Sequence, residues 1–482
     1  AGRGIGMWVF VLAATATSFS GWTFVGHPGT IYKTGLPYAF ASFYAITIPL
    51  TGVLFLKRQW LLGKRYGYIT PGEIFSDYYQ TNAMRLLTVV VAMIFSVPYL
   101  GIQLKASGFL FSRLLKGTAL EETFAGSIEG GAILLSVVVF IYVASGGLRS
   151  VAYVDCVQCI LLAVGIVVLG FVALDLVGGW HSFKQGLVAL ANVNPEMVSI
   201  PTRPESPSFL ERSGTMFFDG SGGAWTSLMI LTYMFALMGI QSAPAFSMWA
   251  FANKDPRPFP WQQVVASSIA IGGILFIFTA FQGLGGALLD RELIPGASRL
   301  GLPRSDSLVP YLIDTLSSTF PWLVGLLAVC ALAAMQSTGA AYMSTASGII
   351  TRDLYRHFLN RDASHAAQVL VGRISVAIVV GLALFVGLAS GDLLVLLGGL
   401  AVSYGFQMWP ALLGICYLRF FTPRGIVWGL VAGLVAVTVT YITELGGLLG
   451  IGRYPLTIHS AGWGILFNLG TATLLSALDR NS

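Results

Sequence analysis

Residues 331–355 read ALAAMQSTGAAYMSTASGIITRDLY, and this stretch decides how the rest of the chain is interpreted. It is apolar and long enough to cross a bilayer, but hydroxyl pairs interrupt it at Ser337 and Thr338 and again at Ser344 and Thr345. Ser337 and Ser344 are seven residues apart, so they share nearly one helix face. Such hydroxyls can bind a small hard cation, which prefers oxygen ligands. They can equally hydrogen-bond to the carbonyl four residues back and pack helices, so both interpretations stay open.

The composition is that of a membrane protein. The 482-residue chain is 55% hydrophobic and 10% charged, whereas a soluble domain carries about 25% charged residues. Its 57 glycines and 31 phenylalanines fit membrane helices, in which small residues allow close helix approach. We therefore predict a multi-pass protein embedded in the lipid bilayer of the plasma membrane. The net charge of +6 is expected to reflect cytoplasmic loops, and neither a nucleic-acid partner nor a catalytic site is predicted.

Apolar runs of about 20 residues predict one all-α transmembrane domain over 1–482 with twelve helices. The segments 57–65, 253–261 and 352–364 are rich in Lys and Arg and follow even-numbered helices. The positive-inside rule therefore predicts that this face and both chain ends are cytoplasmic. Because the chain begins at Ala1 without a methionine, we expect it to be incomplete at its N-terminus. The predicted helices span 7–31, 35–56, 84–115, 127–147, 150–177, 223–252, 262–288, 319–351, 367–389, 391–418, 423–445 and 461–477.

The first and sixth predicted helices are interrupted. Residues 16–29 contain a Ser-Phe-Ser-Gly run and a Gly-His-Pro-Gly run, and residues 238–244 read MGIQSAP. Unwound backbone at membrane depth is tolerated only where it is buried in protein or lines a cavity. Two broken helices that are five helices apart predict a five-plus-five inverted repeat with binding sites at the breaks. The repeats would cover about 7–177 and 223–418, and 423–477 would add two C-terminal helices.

Three ordered motifs in this chain resemble the sodium:solute symporter family. They are Ser20-Gly21-Trp22 followed by Gly26-His27-Pro28-Gly29, the stretch GGLRSVAYVDCVQ at 146–158, and residues 334–355. The resemblance implies the leucine-transporter-type fold and secondary transport driven by inward sodium. Relatives usually have one further helix before the first core helix, which agrees with the expected truncation.

The resemblance also implies a sodium site between the first and eighth helices. Five neutral oxygens suit a monovalent ion that must be released again, whereas a calcium site usually contains carboxylates. The pair Ser344 and Thr345 repeats the motif one heptad later. The number of residues between the hydroxyl pair and Asp353 favours the earlier pair, Ser337 and Thr338. The implied ligands are the carbonyls of Ala16, Phe19 and Ala334 and the hydroxyls of Ser337 and Thr338.

A second sodium site is not expected. Some relatives have hydroxyl residues where this chain has Ala340 and Ala341, although the motif aspartate remains as Asp155. We therefore predict one sodium ion per solute. Asp155 would be structural or part of an inner exit route, and either role requires a partner or water at membrane depth.

Residues near the breaks and on facing helices are candidates for solute contact. Lys105 could attract an anionic solute, snorkel to the interface or pair with an acid such as Glu129. Gln103 offers a neutral amide, while Trp22 and Phe24 could cover the solute or only pack. The full set of candidates is Ser20, Gly21, Trp22, Phe24, Gln103, Lys105, Gln241, Ser242, Tyr404 and Gln407.

The resulting prediction is a sodium-coupled symporter that imports a small carboxylate-bearing solute, either a monocarboxylate or an amino acid such as proline. The alternative is a symporter-like membrane sensor module of a larger signalling protein. A channel is disfavoured, because broken helices occur here without rings of charged residues. The sequence leaves the oligomeric state open, and a monomer is possible.

Overall fold

The computed structural model describes residues 4–200, 225–297, 299–391, 394–442 and 453–481, and these form a helical bundle. Two spans are bent pairs of helices: α1 is Met7–Ser18 with Trp22–Thr34, and α6 is Ser227–Ser242 with Pro244–Ala252. Parts of three predicted helices, namely residues 223–224, 392–393 and 443–445, lie outside the described residues. The other spans are α2 Leu36–Tyr66, α3 Asn82–Leu114, α4 and α5 within Ile128–Leu176, α7 Pro258–Asp290, α8 Pro321–Leu359, α9 His365–Ala389, α10 Leu394–Cys416, α11 Pro423–Tyr441 and α12 Ser460–Arg480.

The helix Ile128–Leu176 comprises two membrane spans. At 49 residues it would be about 74 Å long if straight, more than twice the roughly 30 Å hydrocarbon core. Gly147 interrupts it with φ of 59° and ψ of −165°, a backbone conformation that favours glycine. We therefore assign α4 before Gly147 and α5 after it. This division agrees with the gap between the predicted helices 127–147 and 150–177 and brings the described spans to twelve.

Two helices extend further than their apolar windows predict. The span predicted at 35–56 continues to Tyr66, and the one predicted at 319–351 continues to Leu359. The added turns are rich in basic residues, which end an apolar run without ending a helix. One of these residues, Arg58, donates to the carbonyl of Cys416 at 2.8 Å and lies over the ring of Tyr417.

The predicted breaks in the first and sixth helices are confirmed. In α1, Phe19 has φ of −121° and ψ of 123°, and the two halves are bent by 51°. In α6, Ala243 is extended, with φ of −60° and ψ of 148°, and the bend is 42°. Ala243 precedes Pro244, whose ring disfavours a helical conformation at the preceding residue.

Glycines allow the helices around these breaks to approach closely. A Cβ atom added at Gly101 of α3 would lie 2.7 Å from the carbonyl oxygen of Ala383 in α9. One added at Gly239 of α6 would collide with the carbonyl of Val402 in α10. The broken segments are thus enclosed by other helices, where unwound backbone is tolerated.

Candidate functional site

Five oxygen atoms from α1 and α8 face one another at the α1 break. The hydroxyl oxygen of Ser337 lies 3.4 Å from the carbonyl oxygen of Ala16 and 3.3 Å from that of Ala334. The hydroxyl oxygen of Thr338 lies 3.3 Å from the carbonyl oxygens of both Ala16 and Phe19. We call these five groups the oxygen cradle. The residues that provide them are those that the sequence predicts for sodium.

The contacts within the oxygen cradle are longer than many hydroxyl contacts in the same protein, although the hydroxyls of Ser18 and Ser242 also lie 3.2 Å from helix carbonyls. Thr15, Thr88 and Ser403 each donate to the carbonyl four residues back at 2.7 Å. Contacts of 3.3–3.4 Å are long for a hydroxyl hydrogen bond. However, two oxygens bound at right angles to one cation, each at about 2.4 Å, lie about 3.4 Å apart. The spacing therefore suits ion ligation better than strong hydrogen bonding.

The oxygen cradle is neutral and buried, since Ser337 and Thr338 are both 0% exposed. Neutral oxygens are appropriate for a monovalent cation that is bound and released in each cycle. The second hydroxyl pair lies about 10 Å further along α8. One member of that pair, Ser344, lines a cleft of about 390 Å³ together with Gly147 and Arg373. The cradle therefore involves the first pair and not the second.

Gln103 of α3 holds the break in α1. Its Oε1 accepts from the backbone N–H of Gly21 at 2.8 Å, and its Nε2 donates to the carbonyl of Tyr99 at 2.9 Å. The side chain is fully buried. Both polar atoms of Gln103 are thus used within the protein, in a position where they fix the backbone beside the oxygen cradle.

The unwound residues of α1 also hydrogen-bond to one another. The backbone N–H of Ser20 donates to the Thr23 hydroxyl at 2.7 Å, and the N–H of Trp22 donates to the Ser20 hydroxyl at 3.1 Å. Side chains therefore satisfy N–H groups that have no helical partner at the start of Trp22–Thr34. Ser20 and Gly21 lie at the break, as predicted, and contribute to its conformation.

Aromatic rings surround the break. Trp22 stacks on Tyr44 with a centroid distance of 5.5 Å, and it meets Tyr99 edge-on at 6.2 Å. Tyr99 in turn contacts Tyr342 of α8 at 5.1 Å. The indole N–H of Trp22 and the hydroxyl of Tyr342 are buried without a hydrogen-bond partner among the described residues. Sequence reasoning missed Tyr99 and Tyr342, although each lies four residues from a predicted site residue, Gln103 or Thr338.

The α6 break carries a buried amide. Both polar side-chain atoms of Gln241 are buried and have no hydrogen-bond partner among the described residues. A Cβ atom added at Gly52 of α2 would lie 2.9 Å from the Gln241 oxygen, so this glycine leaves room for the amide. The neighbouring Ser242 donates to the carbonyl of Gly405 in α10 at 2.8 Å. Gln241 therefore retains unused hydrogen-bonding capacity, whereas Ser242 joins two helices.

A buried polar chain links α7 to α1 and was missed in the sequence. The Nε2 atom of Gln262 donates to the Ser267 hydroxyl at 2.8 Å, and that hydroxyl is 3.0 Å from the hydroxyl of Thr15. Gln263 donates to the Oε1 atom of Gln262. Thr15 immediately precedes Ala16 of the oxygen cradle. The adjacent glutamines at 262 and 263 were the available signal, since amides are uncommon inside an apolar span.

Three other solute candidates point to neighbouring helices. The Tyr404 hydroxyl is 2.8 Å from that of Thr438 in α11, and Asn468 of α12 donates to the side-chain Oε1 atom of Gln407 at 3.3 Å. Phe24 packs against α5, where a Cβ atom added at Gly165 would lie 2.9 Å from its ring.

Lys105 lies near the end of α9. Its Nζ atom donates to the carbonyl of Ser390 at 2.6 Å, just after the C-terminus of the helix, where a positive charge is favourable. Asp306, in the loop between α7 and α8, is close enough for its electrostatics to be affected by Lys105. Burial raises the pKa of Asp306 to about 6, although the Leu394 N–H and the charges of Arg304, Lys105 and Lys33 oppose this rise.

Asp155 is fully buried in α5, and neither carboxylate oxygen has a hydrogen-bond partner among the described residues. It lies near Tyr142, whose hydroxyl donates to the carbonyl of Gln336 at 3.2 Å. Gln158 donates to the Oε1 atom of Gln336 at 3.0 Å. Because Gln336 precedes Ser337, this polar group continues from the oxygen cradle along α8. Sequence reasoning missed Gln336.

Breaks in α1 and α6, with an oxygen cradle between α1 and α8, define a membrane transporter of the leucine-transporter type. A solved structure supports this fold: a Na⁺-coupled sialic acid symporter in a substrate-bound outward-open state aligns with a TM-score of 0.73. The alignment covers 99% of this chain and 91% of the symporter at 15% sequence identity.

The sequence model of the sodium:solute symporter family matches residues 1–433, so the chain belongs to this family. It is 25% identical over 460 residues to the osmoregulated proline transporter OpuE of Bacillus subtilis (strain 168), covering 93% of this chain and 84% of that protein. It is 24% identical over 474 residues to a sodium/proline symporter of Staphylococcus aureus (strain USA300), covering 93% and 83%, respectively. These relatives are transporters, which favours the symporter over the sensor alternative.

Proposed function

We propose that this protein is a sodium-coupled symporter that imports a small carboxylate-bearing solute, such as proline or a monocarboxylate, by alternating access. The observation that carries the proposal is the oxygen cradle, in which five neutral oxygens of two helices lie at spacings suited to a monovalent cation. Sodium is the coupling ion and is itself transported. We propose one sodium per solute, because Ala340 and Ala341 are buried alanines without side-chain oxygens.

The break in α1 is the proposed link between the ion and the solute. Ala16 and Phe19 contribute carbonyls to the oxygen cradle, and the next residues, Ser20 to Trp22, begin the solute side of the same turn. An ion in the cradle would hold this turn against α8 and so order the solute site. By linkage, a solute bound to the ordered turn must raise sodium affinity by the same factor.

The proposed solute site lies between the breaks of α1 and α6. The rings of Trp22, Tyr99 and Tyr342 supply an apolar wall, while the Trp22 indole N–H, the Tyr342 hydroxyl and the Gln241 amide supply polar groups. The helix Pro244–Ala252 begins at the α6 break, and the positive end of its dipole favours a carboxylate there. Two relatives are named as proline transporters, which supports an amino acid as the first solute to test.

We further propose that the face carrying the basic segments is cytoplasmic and that both chain ends lie there. The first described residues lie at this face, since the backbone N–H of Lys254 donates to the carbonyl of Ile5 at 3.1 Å. Asp155 is then a candidate for a transient sodium position on the inner exit route, or for a structural acid of α5.

Uptake of labelled proline into proteoliposomes tests the proposal. An inward sodium gradient should drive accumulation above the equilibrium level, whereas an equal potassium gradient should not. Equal uptake with either ion would contradict sodium coupling. If neither gradient drives proline uptake, proline is not the solute and coupling is measured with another one. A thermal-shift screen of amino acids, monocarboxylates and neutral sugars, with and without sodium, identifies that solute. A response to neutral sugars alone would contradict the carboxylate class.

A further inference from the structure

A cavity of about 280 Å³ lies on the basic face, away from both the oxygen cradle and the proposed solute site. It forms where the short helix Pro71–Tyr78, the start of α3 and the end of α8 meet. Its lining is cationic because four arginines surround a single carboxylate, and a histidine lies beside them. We call it the arginine cavity, and its lining residues are Glu73, Arg85, Arg352, Arg356, His357 and Arg361.

The carboxylates at this cavity balance only part of its charge. Arg352 pairs with Glu73 at 2.9 Å, and Arg85 pairs with the buried carboxylate of Asp353 at 3.3 Å. Arg356 and Arg361 form no ion pair among the described residues, so they add two positive charges. A cavity with excess positive charge and arginine side chains favours an anionic ligand.

The donor chemistry suits a phosphate group. Arginine presents a planar fork of N–H donors that matches phosphate oxygens and binds them in bidentate fashion. The Arg85 and Arg352 side chains are only 12% and 24% exposed, so their charges are less screened than those of surface residues. Several convergent guanidinium groups can therefore hold a tetrahedral anion from more than one side.

The surroundings of the arginine cavity are partly apolar. Leu86, next to Arg85, is 43% exposed, and Phe358 and Leu359, between Arg356 and Arg361, are 43% and 78% exposed. Exposed apolar side chains beside a basic cavity are expected at the boundary between hydrocarbon and water. A phosphate carried by a lipid headgroup could reach this position from the bilayer, and a free phosphate could reach it from water.

We propose that the arginine cavity binds a phosphate-bearing anion. Binding involves the same arginines that hold the inner ends of α3 and α8 together. Asp353 accepts from the Thr70 hydroxyl at 3.0 Å and pairs with Arg85, and Arg352 holds Glu73 of the short helix. A phosphate that joins Arg356 and Arg361, at and just after the end of α8, to Arg85 of α3 therefore adds contacts across this junction, so the ligand should stabilise the folded transporter.

The experiment measures the melting temperature of the purified full-length protein in two arms. One arm titrates inorganic phosphate against chloride at constant ionic strength in detergent. The other compares nanodiscs of phosphatidylcholine with nanodiscs that also contain phosphatidylglycerol. We expect a saturable rise of at least about 2 °C in one or both arms. A rise only with phosphatidylglycerol identifies a headgroup, and a rise only with inorganic phosphate identifies the free ion; both support the proposal.

The double variant Arg356→Gln with Arg361→Gln should weaken this response at least about tenfold in apparent affinity. The matched control, Lys64→Gln with Arg65→Gln, removes two charges from the same face outside the cavity and should retain the response. Should the double variant fail to fold, Arg361→Gln alone alters only an exposed side chain. No rise in either arm, or an equal loss in the control variant, would overturn the proposal.

Discussion

Replacement of Gln103 by Met tests whether this residue holds the α1 break or touches the solute. The change keeps an unbranched side chain but leaves the Gly21 N–H, now bonded at 2.8 Å, without its buried acceptor. An unsatisfied buried donor costs about 1–3 kcal/mol, or about 5- to 150-fold in an equilibrium constant. Because the break contributes to both sites, we expect Gln103→Met to weaken sodium binding and solute binding by similar factors.

The assay determines half-saturating sodium from the melting temperature without solute, and the solute Kd by calorimetry in saturating sodium. Gln407→Met is the matched control, since Gln407 is also buried and also donates to the carbonyl four residues back, at 3.1 Å, but in α10. It should leave half-saturating sodium unchanged. A Gln103→Met protein with normal sodium binding and a raised solute Kd would refute the argument and make Gln103 a direct solute contact.

Three further predictions follow from other residues. Lys105→Gln should lower the melting temperature while the solute Kd stays nearly normal, because Lys105 binds the Ser390 carbonyl; a Kd raised at least tenfold at an unchanged melting temperature would instead indicate solute contact. Asp306 has a folded pKa of about 6 against an ordinary value of 3.8, so the folded state binds the proton more tightly and stability should fall as pH rises from 4 to 7. Melting curves between pH 4 and pH 7 should show that Asp306→Asn removes this pH-dependent loss of folding stability, which is on the order of 3 kcal/mol. An unchanged pH profile in the variant would contradict the role given to Asp306. Reversal potentials in liposomes should give one sodium per solute, and a ratio of two would contradict the inference drawn from Ala340 and Ala341.

The sequence predicts the broken helices well because their causes are local. Pro244 makes Ala243 extended through its own ring, and the Ser and Gly residues around Phe19 permit the chain to unwind. Spans are equally local, since an apolar run of sufficient length is itself the requirement for crossing a bilayer. The predicted C-terminal ends of α2 and α8 were wrong, because a helix can continue beyond the membrane through turns that carry charged residues.

What the sequence could not determine is which helix each side chain faces. Tyr404 and Gln407 share a face of α10, as their spacing predicts, but their side chains contact Thr438 of α11 and Asn468 of α12. The contact between Gln103 of α3 and Gly21 of α1 depends on how these two helices cross, since the two residues are 82 positions apart in the sequence. Such contacts are set by tertiary packing, so spacing along one helix does not reveal them.

The central claim is that sodium binds in the oxygen cradle, and sodium binding without solute tests it most directly. Thr338→Val removes the hydroxyl and keeps the shape, Thr338→Ser keeps the hydroxyl, and Thr345→Val makes the same deletion one heptad later. Sodium, but not potassium, should raise the melting temperature of the wild type, Thr338→Ser and Thr345→Val proteins. In Thr338→Val the half-saturating sodium concentration should rise about 10- to 150-fold, because a charge-assisted contact worth about 1.5–3 kcal/mol is lost. Normal sodium binding in Thr338→Val, or its loss in Thr345→Val instead, would contradict the proposed site.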